Sequence, residues 1–137
     1  MNRHARDIAC VFVSVEYQLA PQHQFPAGFE DCIDGARWCI ENANSLGARK
    51  GSIITMGKSA GGSLAFAVSL KLIDDGLGSS LLGIAPCQPI TVHPNAVPVD
   101  LRSRYTAYEV NAENTVNTGK VMHVLFGECR RTLDSEA

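Results

Sequence analysis

Ile53-Ile54-Thr55-Met56-Gly57-Lys58-Ser59-Ala60-Gly61-Gly62-Ser63-Leu64-Ala65 runs from an apolar segment, through a glycine-bracketed serine, into a helix-forming segment. That layout is a nucleophile elbow, in which the chain turns sharply from strand to helix and lifts a hydroxyl clear of the sheet. Gly57 and Gly61 stand two residues either side of Ser59, with Gly62 next. At Gly57 and Gly61 the helix packs back on the strand, and a side chain is expected to collide. The N–H of Ala60 is then a donor to an oxyanion formed beside Ser59. The five-residue pattern alone carries little weight, because it arises by chance in about one chain in twenty of this length. Its flanks decide the reading. Residues 52–56 are short, apolar and β-capable, and Leu64, Phe66, Ala67, Val68, Leu70, Leu72 and Ile73 continue with few breakers to Asp74-Asp75-Gly76. A phosphate-cradling loop needs G-x-x-x-x-G-K-[ST], and here Lys58 precedes the serine with no glycine at the required offset. A glycine-rich turn without chemistry is the remaining alternative.

Upstream, Ile8-Ala9-Cys10-Val11-Phe12-Val13-Ser14-Val15 is nearly continuous apolar and rich in β-branched residues. It predicts a strand of a parallel sheet covered on both faces. A loop with Pro21 and Pro26 follows, and Pro26 suits the first position of a helix. From about Ala27 the residues Phe29, Cys32, Ile33, Ala36, Trp38, Cys39 and Ile40 form a helical apolar stripe. Downstream, residues 81–86 predict a third strand stopped by Pro86, and residues 87–100 an irregular proline-rich loop. Residues 114–126 predict a helix, and residues 129–137 a frayed tail after a single domain over 1–128. Strands alternating with helices place the chain in the α/β class, with right-handed crossovers and a parallel sheet flanked by helices.

Composition narrows the function classes. In 137 residues, 45% hydrophobic and 19% charged residues predict a packed core rather than disorder. A net charge of −2 with scattered basic residues argues against a nucleic-acid surface or an acidic-lipid anchor. The five cysteines form no C-x-x-C pair and have no metal-ligand spacing with the four histidines. Buried reduced thiols, and hence a reducing compartment, are the expectation. The polar N-terminus followed by a short apolar run fits neither a signal peptide nor a membrane span, which makes the cytosol the default.

Several blocks share an order and spacing. They are Ser14-Val15-Glu16-Tyr17-Gln18-Leu19-Ala20-Pro21, Phe25-Pro26-Ala27, Glu30-Asp31-Cys32, Arg37-Trp38 and Gly57-Lys58-Ser59-Ala60-Gly61-Gly62. As a set they resemble the hormone-sensitive-lipase family of α/β-hydrolases over about the first ninety residues. The resemblance implies a carboxylic-ester hydrolase acting on a small-molecule ester, with no metal or organic cofactor. Ser59 would attack the acyl carbon, a histidine would take its proton, an acid would orient that histidine, and an H-G-G-G loop would add oxyanion donors. Three positions depart from the family pattern: Lys58 stands where an acidic residue is usual, and Gln18 and Gln22 where arginine and glutamate are.

The same resemblance implies that the H-G-G-G loop lies upstream of residue 1 and the catalytic Asp and His beyond residue 137. Asp100 and His123 have the order that follows a catalytic serine, but they and His93 are expected to face solvent. The family's sheet also has a strand between the equivalents of residues 8–15 and 52–56. Those two strands are therefore expected to flank a gap with unpaired backbone groups. Each such group costs about 1–3 kcal/mol if buried unpartnered. The expected consequences are closure by direct pairing, filling by another segment, or association through open edges. A non-catalytic interaction module pairing through those edges is the competing reading of the chain.

Overall fold

A computed structural model describes residue 5, residues 7–90, residue 92, residues 96–106 and residue 110. The chain forms two compact units, one of Met1–Gln18 with Pro26–Pro89 and one of Leu19–Phe25 with Ile90–Ala137. In the second, a 3₁₀ helix over Val99–Arg104 begins after Pro98, and Arg102 Nε donates to the Val97 carbonyl at 3.2 Å. Asp100 lies exposed in that helix. His93, His123, the segment 114–126 and the tail 129–137 lie outside the described residues.

The first unit holds two helices and two strands: α1 (Ala27–Glu41), β1 (Ile53–Lys58), α2 (Ala60–Asp74) and β2 (Leu81–Cys87). Pro26 is the N-cap of α1 rather than its first helical residue. β1 and β2 pair in parallel, from Ile53 opposite Leu81 to Lys58 opposite Cys87. This strand–helix–strand order with a parallel ladder bears out the α/β expectation. β2 runs through Pro86 to Cys87 instead of stopping at the proline. A proline lacks only the N–H, and a strand paired on one side can spare that donor.

α2 covers one face of the sheet and α1 packs on α2. The core is Ile33 of α1 against Val68 and Leu72 of α2, ringed by Phe29, Cys32, Ala36, Ile40, Leu77 and Leu81. These are the i, i+3, i+4 positions of the expected stripe, except that Trp38 falls on the outer side and is exposed. α2 ends in a Schellman motif. Gly76 takes φ 77°, its N–H bonds the Ile73 carbonyl at 3.0 Å, and the Leu77 N–H bonds the Leu72 carbonyl at 2.8 Å. Leu77 then folds back onto the core. At the same corner Asp75 accepts from Arg37 of α1 at 2.7 Å and from Lys71, tying the two helices together.

The segment 8–15 departs from expectation. Residues 10–19 join no ladder, and the sheet has two strands among the described residues. A strand needs a neighbour's N–H and C=O groups as well as β propensity, and among the described residues there is none. Val15 does pack on α1, where a Cβ at Gly35 would come within 2.9 Å of Val15 Cγ2. Between this segment and β1 lies a cavity of about 740 Å³. Direct pairing does not close the expected gap, and among the described residues no other segment fills it. The sheet face away from α2 is also bare among the described residues, with Ile54 53%, Met56 61% and Leu82 63% exposed.

Candidate active site

Ser59 sits between β1 and α2 with φ 55° and ψ −120°. An L-residue is strained there by about 1–3 kcal/mol. A serine at a helix start ordinarily lies in the β region and turns its hydroxyl onto the N–H groups of the first turn. Ser59 makes no such cap. Its side chain is carried away from the helix and is exposed, and among the described residues nothing hydrogen-bonds it. Two backbone bonds and close contacts hold the strained turn. The Ser59 N–H donates to the Cys87 carbonyl of β2 at 2.9 Å, and the Ser59 carbonyl accepts the Ser63 N–H at 3.0 Å. Ala60 begins α2, so its N–H has no intrahelical acceptor and is available beside the hydroxyl.

The three glycines of the turn differ in what they permit. A Cβ on Gly57 would collide with the Gly61 carbonyl and come within 2.9 Å of Gly62 N. A Cβ on Gly62 would come within 2.8 Å of the Cys87 carbonyl and 3.2 Å of the Gly57 carbonyl. A Cβ on Gly61 would meet nothing within 4 Å. The collision expected at Gly61 is therefore absent, because that Cα faces the open cavity beside β1. The tight approach belongs to Gly62, against the end of β2. No sequence pattern marks the Cys87 carbonyl, which both anchors Ser59 and crowds Gly62.

Beneath the turn, Thr55 of β1 and Ser69 of α2 share a 2.6 Å hydroxyl contact, and Ser69 Oγ donates to the Ala65 carbonyl at 2.9 Å. With the Ser69 proton committed, the Thr55 hydroxyl is the donor between them. This pair pins the strand to the helix just below the elbow, and its one sequence signal is a serine inside an apolar helical run. Lys58 is exposed. Gln18 bonds Asp31 twice, from its backbone N–H at 2.8 Å and from Nε2 at 3.1 Å, so the amide satisfies a carboxylate on α1. Cys10, Cys32 and Cys39 are free thiols of intermediate burial and Cys87 is free and exposed, so none of the four is buried as expected. Burial pushes the Cys32 and Cys39 thiols up, with Asp31 adding to the effect at Cys32. Among the described residues no cluster of His, Cys, Asp or Glu could hold a metal. No helix among them is long and apolar enough to cross a membrane.

The model of the alpha/beta hydrolase fold family matches residues 1–133. The chain belongs to the α/β-hydrolase family. Its similarity to the versiconal hemiacetal acetate esterase of Aspergillus parasiticus is 43% identity over 114 residues, 83% of this chain and 35% of that enzyme. A 48% identical match over 117 residues is to the FAD-linked oxidoreductase pytB of Aspergillus terreus, covering 85% of this chain and 14% of that one. Among solved structures, the esterase of Pyrobaculum calidifontis superposes with a TM-score of 0.70 at 34% identity, over 91% of this chain and 39% of its own. This α/β-hydrolase chain thus spans little more than a third of the length of each of these two esterases.

Proposed function

We propose that the chain carries the nucleophile segment of a carboxylic-ester hydrolase, with Ser59 as the attacking residue and Ala60 N–H as an oxyanion donor. The observation that supports this is the backbone of Ser59, strained at φ 55° and not spent on capping. A structural turn would place glycine there at lower cost. In this reading Ser59 Oγ bonds to the acyl carbon of a small-molecule ester and its proton passes to a histidine base. The tetrahedral oxyanion then leans on the Ala60 amide, and the alcohol leaves with the proton. Gly57 and Gly62 let the helix close on the sheet so that hydroxyl and amide face the same point. No organic cofactor enters this chemistry. The cysteine pattern supports a reducing, cytoplasmic setting.

The test is a chimera in which residues 8–90 replace the matching segment of the Aspergillus parasiticus esterase. It should hydrolyse p-nitrophenyl acetate and lose at least about a thousandfold in kcat with Ser59→Ala. A folded chimera whose rate survives that substitution contradicts the assignment.

A second reading, self-association through open strand edges, is favoured by the edge of β1 beside the cavity, which is unladdered among the described residues. Such edges template pairing with another chain.

A further inference from the structure

The cavity beside β1 has the construction of a strand slot. One wall is the edge of β1 that β2 does not use, and the other is the segment 8–15. Among the described residues, 11–17 make no backbone–backbone hydrogen bond. The floor is helix: Cys32 and Cys39 of α1, Gly61, Leu64 and Val68 of α2. Among the described residues, the edge of β1 away from β2 and the segment 11–17 both border the cavity without backbone partners, and such groups call for an occupant with its own N–H and C=O groups, which a lipid-like small molecule lacks. An extended strand rises about 3.3 Å per residue, lies about 4.8 Å from each neighbour and fills a layer about 10 Å deep, so about 740 Å³ holds roughly five residues. Among the described residues the lining carries one charged side chain, Arg49, and is otherwise mostly apolar, which suits an uncharged strand. The open space at Gly61 is where such a strand would press.

The chain itself supplies a strand of that description. Cys10-Val11-Phe12-Val13-Ser14-Val15 is uncharged, β-branched, unladdered and partly exposed. Resting on the edge-pairing reading above, we propose that two copies of this chain associate by placing residues 10–15 of each in the other's slot. The order across the joint sheet is β2, β1, 10–15 of the second copy, 10–15 of the first, then β1 and β2 of the second. A two-fold axis in the sheet plane makes the contact isologous and closed. It sets the helices of the two copies on opposite faces, so that the second copy covers the exposed Ile54 and Met56.

The full chain should sediment as a concentration-dependent dimer. N-ethylmaleimide should alkylate Cys10, Cys32 and Cys39 at least about tenfold faster after dilution to monomer, while the exposed Cys87 reacts at one rate throughout. Gly61→Leu, which fills the slot from the floor, should be monomeric with an unchanged circular dichroism spectrum. Val13→Lys should act likewise through the strand. A monomer at every concentration overturns both this proposal and the edge-pairing reading. A dimer whose thiol rates ignore dilution, or which survives both substitutions, overturns the slot alone and leaves pairing at β2. Dilution-independent protection in a monomer also overturns it, because something other than a second copy then fills the slot.

Discussion

Ser59 and its three glycines give the site its character one residue at a time. Gly57→Ala and Gly62→Ala each force a Cβ into backbone at contact distances that real structures do not hold, so each should cost about 2 kcal/mol or more in urea unfolding. Gly61→Ala, measured in the dilute monomer, should instead be neutral or stabilising by up to about 1 kcal/mol, since alanine is the better helix former and its Cβ is unopposed. Equal losses at all three would refute this distinction. Ser59→Gly should raise the melting temperature by relieving a strain of about 1–3 kcal/mol at φ 55°. A lower melting temperature would show that the turn is not strained. The sequence made the turn legible but not this asymmetry. A five-residue pattern treats its two glycines alike, whereas crowding depends on where the carbonyl of Cys87 lies and where the cavity opens.

Helices and strands were legible where a periodic face meets its own partner within the chain. The stripe from Phe29 to Ile40 is such a case, buried on Val68 and Leu72. Residues 8–15 have equal β character and form no strand, because strand identity is completed by a neighbour's hydrogen bonds. Trp38 shows the same limit on a helix: an apolar residue near a stripe is not necessarily on it. The link between α1 and α2 has a pH signature. Hydrogen bonds from Lys71 and Arg37 hold the Asp75 carboxyl below the ordinary carboxylate range. A carboxylate with a depressed folded pKa contributes stability that is complete above its unfolded pKa and is lost as pH falls through the folded one. The melting temperature should therefore drop on acidification below the ordinary carboxylate range. Asp75→Asn should be less stable at neutral pH and show a shallower acid limb, and parallel acid limbs would refute the linkage.

At the scale of the whole chain, this is an α/β-hydrolase chain whose first unit presents a serine at the turn from β1 to α2 and has a cavity beside β1. Its family was legible from blocks in its first ninety residues, and the family model's match over residues 1–133 agrees. The location of a base and an acid was not legible from local order, since Asp100 stands exposed in a separate unit. Because nothing among the described residues hydrogen-bonds Ser59 Oγ, the chain by itself should hydrolyse p-nitrophenyl acetate no faster than its Ser59→Ala variant. A rate that depends on Ser59 would mean that a base reaches it. The most direct test of the nucleophile assignment is peptide mapping of the esterase chimera after exposure to a fluorophosphonate. A single phosphonyl adduct on Ser59, abolished by Ser59→Ala, is the predicted result. An adduct on any other residue of a hydrolytically active chimera would contradict it.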